Sequence, residues 1–205
     1  MEKIKMRFGL NSLNWFFIVP VLLILLNIVL KLLFVSNNAL GGDEPFSVFV
    51  SQHSPIDIIK ELTKGNNPPL YELFLHFWTS LFGITEFAVR LPSVIFSALT
   101  VHFIFKIAKT WISFRVALVA SMLFTFSSYH VVFAHEARVY ALFGLLTSAS
   151  MYYFLKFCSS NQKNRPIFFI LLLLNTLLIY AHYFGAFVLF IQALSVLFIG
   201  DFRAN

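Results

Sequence analysis

Long apolar segments recur along the chain, and short polar stretches separate them. Six segments are long enough to cross the hydrocarbon core of a bilayer, which takes about 17–25 residues of helix. They cover residues 14–35, 87–106, 113–133, 138–156, 166–182 and 184–200. The pattern therefore predicts an all-α integral membrane protein with about six transmembrane helices.

The first apolar segment follows a short basic N-terminus, which leaves two interpretations open. A cleaved signal peptide has an apolar core of only about 7–15 residues. The run from Trp15 to Val35 has 21 residues. This length favours an uncleaved membrane anchor over a signal peptide.

Basic residues fall mostly on one side of the predicted spans. With the N-terminus placed in the cytoplasm, ten of the fifteen Lys and Arg residues lie on the cytoplasmic side. Those ten are Lys3, Lys5, Arg7, Lys106, Lys109, Arg115, Lys156, Lys163, Arg165 and Arg203, and the outer or boundary five are Lys31, Lys60, Lys64, Arg90 and Arg138. Cytoplasmic loops carry an excess of Lys and Arg. We therefore expect a multi-pass protein of the cell membrane, inner or plasma, with a cytoplasmic N-terminus.

The stretch between the first two spans, residues 36–86, forms the external loop of this topology. Residues 69–83 within it are apolar but too short to span, and Glu72 and His76 fall on one face of a helix there. This combination predicts an amphipathic helix at the outer interface. Ser54 followed by Pro55 predicts the start of another short helix. No repeat or linker divides the chain, so residues 1–205 are predicted to form a single polytopic membrane domain.

Composition agrees with lipid as the main solvent. Hydrophobic residues make up 59% of the 205 residues, charged residues 12%, and 27 residues are Phe. A soluble domain is about 45–50% apolar and about 25% charged. The net charge of +6 arises from the loop positions described above, and without a nucleic-acid-binding motif we expect no nucleic-acid partner. The single cysteine, Cys158, permits neither an internal disulfide nor a cysteine metal site.

Candidate chemistry lies at two acidic clusters on the outer side, because polar groups at the edge of lipid are costly and often functional. The first cluster is Asp43-Glu44, which follows two glycines and precedes Pro45. On this non-helical backbone the two carboxylates are expected to point in different directions and to have separate roles. The alternative is a solvated turn that merely ends the first helix.

The second cluster contains Glu136, Arg138 and Tyr140, where the third span ends outside and the fourth begins. On a helix Glu136 and Tyr140 share a face, and Arg138 lies roughly opposite them. Arg138 is either a fixed cation aimed at a lipid phosphate or a side chain that snorkels to the headgroups. His182 marks the external turn between the last two spans and is a further candidate.

Other patterns limit the chemistry. Glu86 and Arg90 are four residues apart and predict an ion pair within the start of one helix. Asp43 and Glu136 are the candidate ligands if a divalent metal ion takes part, although no established metal-ligand spacing appears. The sequence has no Walker loop and no dinucleotide-binding glycine motif, and the predicted cytoplasmic loops are too short for a nucleotide-binding domain. An enzyme of this architecture is expected to use a substrate that lipid presents on the outer side.

Four motifs occur in a fixed order along the chain. They are Asp43-Glu44, Asn67-Pro68-Pro69-Leu70-Tyr71, Glu86-Phe87-Ala88-Val89-Arg90-Leu91-Pro92-Ser93 and Glu136-Ala137-Arg138-Val139-Tyr140. Together they resemble the N-terminal part of membrane glycosyltransferases with the GT-C fold. The likeness is greatest to the bacterial branch related to protein O-mannosyltransferases and to the lipid A aminoarabinose transferase, and it covers residues from about 8 to 200.

The resemblance implies the N-terminal half of a GT-C fold and the transfer of a sugar from a polyprenyl-phosphate-linked donor. The acceptor would be a lipid, a glycan or a protein at the outer face of the membrane. The aminoarabinose branch has Glu-Lys where this chain has Asn66-Asn67, so the identity of the sugar is not carried over. Family members usually continue with further spans, and the chain is therefore expected to be the N-terminal part of a longer glycosyltransferase.

The resemblance also assigns roles to residues. It implies a catalytic Asp43-Glu44 pair with Asp43 as the base, and it places Glu136 at the acidic position where the next external loop re-enters the membrane. A carboxylate can take the proton of the attacking hydroxyl, and a fixed cation such as Arg138 can stabilise the departing phosphate. Inversion at the anomeric carbon is expected. Residues 136, 138, 140 and 182 are the candidates for contact with the donor phosphate or sugar.

Two alternatives come from other functional classes. A small transporter would use polar residues inside the spans to line a path, and the candidates are Asn27, Lys31, His102, Asn175 and Gln192. A non-catalytic membrane fragment or scaffold would need no such residues.

Overall fold

A computed structural model of the protein describes residues 12–33, 35–65, 67–160 and 164–203. These residues form helices joined by turns, and none of them is in a strand. The helices are α1 (Ser12–Leu32), α2 (Glu44–Ser51), α3 (Pro55–Thr63), α4 (Leu70–Phe82), α5 (Glu86–Trp111), α6 (Phe114–Phe126), α7 (Ser128–Ala134), α8 (Tyr140–Cys158), α9 (Arg165–Ala181) and α10 (Gly185–Arg203). The predicted all-α class is confirmed. Four of the ten residues predicted to be cytoplasmic lie outside the described residues: Lys3, Lys5, Arg7 and Lys163.

The predicted spans all correspond to apolar helices, but of unequal length. Within the described residues, α5 and α8 are each long and apolar enough to cross a membrane alone. Helices α6 and α7 meet the same criterion only as a pair. Shorter apolar helices cover Ile18–Leu32, Arg165–Ala181 and Gly185–Phe198. The protein is thus a helical membrane protein. Its organisation as a single domain stays a prediction.

The third predicted span, 113–133, is not a continuous helix. Its two parts, α6 and α7, meet at Ser127 with a bend of 61°. Ser127 itself has an extended backbone, with φ −63° and ψ 120°. Serine side chains compete with the helix for backbone hydrogen bonds and favour such cap positions. The bend therefore lies at the Ser127-Ser128 pair, which apolar length alone could not locate.

The short helix predicted after Ser54 is confirmed. Helix α3 begins at Pro55, and the Ser54 hydroxyl accepts a hydrogen bond of 3.3 Å from the backbone N–H of Asp57. Proline at the first helical position has no N–H that would lack a partner. The cap fixes the start of α3, which packs against α4.

Glu72 and His76 share a face of α4, as predicted, but this face does not point to solvent. The Ser47 hydroxyl of α2 donates to Glu72 Oε1 at 3.0 Å. One turn further on, the His76 ring nitrogen Nδ1 lies 2.8 Å from the carbonyl oxygen of Ser51. The polar face of α4 therefore packs on α2, and a charged group of the predicted interfacial helix is buried.

The described elements place the acidic clusters at one end of the helices. At that end, His135 Nε2 lies 2.7 Å from the carbonyl oxygen of Lys31, and the Ser93 hydroxyl donates to the carbonyl of Glu136 at 2.7 Å. At the opposite end, Trp111 Nε1 donates to the Ser159 hydroxyl at 3.1 Å. A hydrophobic core that includes Val48, Leu75, Val89, Leu142 and Leu178 lies beneath the acidic end. This packing holds the candidate residues together.

The acidic end is predicted to face the outside of the cell. In a variant whose native Cys158 is replaced by Ser, a cysteine at Lys60 should react with a membrane-impermeant thiol reagent in intact cells. A cysteine at Lys109 should react only after the membrane is permeabilised, because the charge asymmetry places it inside. The reverse labelling would invert the orientation and move the candidate site to the cytoplasmic face.

A closed triangle of polar side chains joins α8, α9 and α10 within the apolar region. The Ser150 hydroxyl donates to Asn175 Oδ1 at 2.5 Å, and Asn175 Nδ2 donates to Gln192 Oε1 at 2.9 Å. Gln192 Nε2 completes the triangle by donating to the Ser150 hydroxyl at 2.7 Å. Each member thus has partners on the other two helices, where lipid offers none.

Removing one member of the triangle should destabilise the helix arrangement. We expect Gln192→Leu to lower the free energy of unfolding in micelles by about 1–2 kcal/mol, since interhelical hydrogen bonds in membranes average about 0.6 kcal/mol and reach about 1.7 kcal/mol. Ser195→Ala on the same helix is the control, because its hydroxyl donates to the Ile191 carbonyl of its own helix. Equal losses of unfolding free energy in the two variants would show that the triangle adds no more stability than a hydrogen bond within one helix.

Candidate functional site

The Asp43-Glu44 pair diverges at the start of α2. Gly42 has a φ of +56°, a left-handed conformation that favours glycine. The Asp43 side chain that follows is 73% exposed, whereas the Glu44 side chain is 4% exposed. The two carboxylates point in different directions, as predicted, but the predicted non-helical backbone is wrong, because Glu44 is the first residue of α2.

Glu44 is held by fixed partners on both of its oxygens. Arg90 donates to it twice, from Nη2 to Oε2 at 2.6 Å and from Nε to Oε1 at 2.8 Å. The backbone N–H groups of Gly41 and Ala137 donate to the same carboxylate at 3.1 and 2.8 Å. Burial alone would raise the pKa of Glu44, but these hydrogen bonds, that from Arg90 foremost, hold the pKa below its ordinary value. We interpret Glu44 as a group that holds the site together, not one that reacts.

The predicted ion pair between Glu86 and Arg90 is wrong. Arg90 is buried and pairs with Glu44 across 46 positions of sequence, and it also donates to the carbonyls of Val35 and Asn38 at 2.8 Å. Glu86 is exposed at the start of α5. A buried guanidinium needs a buried anion and further acceptors, and a spacing rule for exposed helix faces does not take this into account.

The shared helix face considered for Glu136 and Tyr140 does not exist, because residues 135–139 are not helical. Helix α7 ends at Ala134 and α8 begins at Tyr140, and the five residues between them form bends and turns. The bonds from the Ala137 N–H to Glu44 and from Ser93 to the Glu136 carbonyl hold this turn in place. Glu136, Arg138 and Tyr140 therefore do not keep the relative directions of a helix.

Arg138 points into the protein instead of toward the headgroups. The residue is 9% exposed, and its Nη1 donates to the Ser47 hydroxyl at 2.8 Å. Its Nη2 lies 3.6 Å from Asp43 Oδ2, and the guanidinium lies 6.0 Å from the centre of the Tyr140 ring. The buried Nε has no hydrogen-bond partner among the described residues. Buried donors are nearly always paired, so this nitrogen can bond a water molecule or a ligand.

Four of the predicted residues line one cavity of about 420 Å³, here called the polar cavity. Its walls are formed by Gly42, Asp43, Tyr129, Phe133, Glu136, Arg138 and Tyr140. Burial, reinforced by the charge of Glu44 and opposed by Arg138, raises the pKa of Glu136. The structure therefore brings together in one cavity an exposed acid, Asp43, an acid with a raised pKa, Glu136, and a buried cation, Arg138.

A larger and mostly apolar cavity of about 540 Å³, here called the membrane cleft, adjoins the polar cavity. Its walls include Ile104, Phe124, Ala141, Phe143 and Phe184. The two cavities share Tyr129, Phe133 and Tyr140 as lining residues. An apolar compartment among the helices thus borders directly on the charged groups.

A third cavity of about 50 Å³, here called the side cavity, completes the arrangement. Its walls are formed by Asn67, Pro68, Glu72, Arg138, Val139, Tyr140, Ala181 and His182. His182 lines both this cavity and the membrane cleft, and its Nδ1 accepts a hydrogen bond from the Phe184 N–H at 3.2 Å. In the neutral imidazole Nε2 then carries the proton. Sequence analysis assigned Glu72 to a helix face and missed its place beside Arg138.

The polar cavity contains two carboxylates that could bind a metal ion, Asp43 and Glu136. Among the residues that the structure describes, no group of three His, Cys, Asp or Glu side chains is arranged to hold one. A divalent ion between these two acids would take its other ligands from water or a substrate phosphate, as Mg²⁺ commonly does.

The Glu44–Arg90 pair is expected to be essential for stability. Glu44→Gln should lower the free energy of unfolding by about 3–5 kcal/mol, because removing one partner of a buried ion pair leaves the other charge uncompensated. Thermal denaturation in detergent measures the loss. Glu86→Gln is the matched control, since Glu86 is exposed and its replacement should change stability by less than about 0.5 kcal/mol. A small loss in Glu44→Gln would contradict the central role of the pair.

Acid should remove the same stabilisation. The pKa of Glu44 is below its ordinary value of 4.5 in the folded protein, so folding favours the ionised form. Its contribution is fully present above the unfolded pKa and is lost as pH falls through the folded pKa. The difference in melting temperature between the wild type and Glu44→Gln should therefore shrink below about pH 4. A difference that stays constant as the pH falls would contradict this.

Residues 66–204 match the family described as dolichyl-phosphate-mannose-protein mannosyltransferase. Because the match covers more than half of the chain, the protein belongs to this family of GT-C-type membrane glycosyltransferases. The matched region contains Glu72, Arg90, Glu136, Arg138 and His182. Asp43-Glu44 precedes it. No match was found among curated proteins or among solved structures. The likeness to the bacterial and aminoarabinose branch stays a prediction.

Proposed function

Starting from this family, we propose that the protein transfers a sugar from a polyprenyl-phosphate donor to a hydroxyl of a lipid, glycan or protein acceptor. The reaction takes place at the outer face of the cell membrane and inverts the anomeric carbon. The observation that supports this most strongly is the adjacency of the membrane cleft and the polar cavity. An apolar chain and a charged headgroup of one donor molecule fit these two compartments.

The isoprenoid part of the donor occupies the membrane cleft. The cleft has mainly aromatic and aliphatic walls and borders the polar cavity at Tyr129, Phe133 and Tyr140. A polyprenyl chain bound there stays in an apolar environment up to its phosphate. Burial of apolar area would then supply most of the donor affinity.

The donor phosphate binds at Arg138. The guanidinium is buried, lines the polar cavity and has an unpartnered Nε. Charge-assisted hydrogen bonds between Arg and phosphate are among the strongest in proteins. As the bond to the sugar breaks, negative charge grows on the phosphate, and a cation already in place stabilises it without reorganisation.

Asp43 accepts the proton of the attacking hydroxyl. Its carboxylate lines the polar cavity and is largely exposed, so an acceptor arriving from solvent can reach it. It also lies 3.6 Å from Arg138, so the proposed base and the proposed phosphate site belong to the same cavity. Attack from the face opposite the phosphate inverts the anomeric carbon in a single displacement. Glu136, Tyr140 and His182 are proposed to contact the sugar or phosphate from the cavity walls.

Pairing between helices argues against the transporter alternative. Asn27 Nδ2 donates to Thr125 Oγ1 at 3.2 Å, and Lys31 Nζ donates to the Ser97 hydroxyl. Asn175 and Gln192 belong to the polar triangle between α8, α9 and α10. Each of these four candidates pairs with a side chain of a neighbouring helix, which favours a role in helix packing over one in lining a path.

Replacement of Asp43 should test the catalytic proposal. Asp43→Asn keeps the shape of the side chain but removes the base, and loss of a positioned base costs about 10²–10⁴-fold in rate. The measurement is transfer of radiolabelled sugar from polyprenyl-phosphate mannose into protein or glycolipid by the purified protein in lipid nanodiscs. Asp57→Asn, an exposed carboxylate on α3 that pairs with Lys60, is the matched control and should keep normal activity.

Replacement of Arg138 should have a different kinetic signature. Arg138→Ala should raise the KM for the donor and also lower kcat, because a lipid phosphate is charged before and after transfer.

Two results would contradict these proposals. If Asp43→Asn transfers sugar at nearly the normal rate, the Asp-Glu turn is structural and the assignment of the base is wrong. Wild-type protein that transfers no sugar would overturn the proposed function itself.

A further inference from the structure

Glu72 is a buried carboxylate that the proposed reaction leaves without a role. It lies on a mostly apolar helix and is 4% exposed. Burial raises its pKa, which the hydrogen bond from Ser47 and the charge of Arg138 only partly oppose. A carboxylate in this environment is costly unless it has partners. Such groups in membrane proteins commonly mark a functional site.

The partners of Glu72 connect it to the phosphate site. The Ser47 hydroxyl donates to Glu72 Oε1 at 3.0 Å and accepts from Arg138 Nη1 at 2.8 Å. This hydroxyl uses its one proton toward the glutamate and a lone pair toward the arginine. Glu72 and Arg138 are thereby fixed relative to each other through Ser47.

Glu72 also lines the side cavity, together with Asn67, Arg138 and His182. The volume of about 50 Å³ admits a few water-sized groups. It is far smaller than the polar cavity of about 420 Å³, which it adjoins at Arg138 and Tyr140. A sugar in the polar cavity could therefore extend one substituent, but not its ring, into the side cavity.

We propose that the side cavity is a specificity pocket for one hydroxyl or hydroxymethyl group of the transferred sugar, and that the Glu72 carboxylate accepts its hydrogen bond. This inference rests on the proposed function, because it needs a sugar in the polar cavity. A carboxylate is an acceptor only, while the Asn67 amide and the His182 ring offer donors. A hydroxyl, which both donates and accepts, matches this set of walls.

Such a pocket selects among sugars by binding those that lack the matching hydroxyl less tightly. A donor that lacks the hydroxyl would leave the buried carboxylate facing an empty or water-filled cavity. Sites built to hydrogen-bond a substrate hydroxyl reject analogues without it far more strongly than apolar pockets reject a missing methylene. Hydrogen bonds to charged groups correspond to about 10- to 100-fold in discrimination.

The test compares five donors: polyprenyl-phosphate mannose and its four analogues deoxygenated at C2, C3, C4 or C6. The measurement is kcat/KM for sugar transfer by the protein in lipid nanodiscs. We expect the wild type to disfavour one analogue about 10- to 100-fold. Glu72→Leu should abolish that preference by lowering transfer from the parent donor, and Glu72→Gln should reduce it. Comparing the same five donors in each variant cancels their intrinsic differences in reactivity.

Two controls separate specificity from positioning. Ser47→Ala removes the link to Arg138 but leaves the carboxylate in the side cavity, so it should lower kcat/KM for all five donors by a similar factor. Glu61→Gln, an exposed carboxylate on α3 that pairs with Lys64, should leave both activity and preference unchanged. Melting temperatures of all variants show whether they are folded. If Glu72→Leu is unfolded, the donor preference of Glu72→Gln tests the proposal in its place.

Either of two results would overturn the pocket while leaving the proposed function intact. In the first, the Glu72 variants lower transfer from all five donors equally, which would make Glu72 only a support for Arg138. In the second, the wild type transfers all five sugars with no preference that depends on Glu72. Failure of the wild type to transfer any of them would overturn the proposed function and this inference together.

Discussion

The bidentate ion pair between Glu44 and Arg90 is the contact on which the candidate site depends. It joins the start of α2 to α5, and its outer hydrogen bonds reach the loop after α1 and the turn before α8. In a low-dielectric interior such a pair is costly to break once formed. Four separate segments are therefore held at one place, while the side chain of the neighbouring Asp43 stays exposed. The two adjacent acids thus have different environments and can have different roles.

Arg138 depends on this framework but has a different electrostatic position. Asp43 lies 3.6 Å from it, Glu72 reaches it through Ser47, and Glu136 lies in the same cavity. Three carboxylates around one guanidinium give an excess of negative charge, which opposes an anionic ligand. Burial raises the pKa of Glu136, so protonation of this acid costs less than it would in water. A proton on Glu136 would leave the charge of Arg138 more available to a phosphate, with Asp43 as the exposed acid beside it.

Local sequence patterns predicted the helices well, because apolar length and a serine cap are properties of short segments. They failed wherever the partner of a residue is distant in sequence. Arg90 has a carboxylate four positions away, yet it pairs with Glu44, because Glu44 is buried beside it whereas Glu86 is exposed. Glu72 was assigned to an interfacial helix face, since nothing near it in sequence indicates that Ser47 covers that face. The environments of the site residues are set by tertiary packing, and for this reason local sequence patterns could not predict them.

The broken third span shows how such a departure from the simple pattern can be useful. The 61° bend at Ser127 turns α7 away from the line of α6, and its Tyr129 and Phe133 line both the membrane cleft and the polar cavity. Tyr140, at the start of α8, lines these two cavities and the side cavity. The boundary between the apolar and the charged compartment is thus built from aromatic rings, which tolerate lipid on one side and polar groups on the other. An enzyme that acts on a lipid-linked headgroup needs a boundary of this kind, because the two ends of its substrate require different solvents.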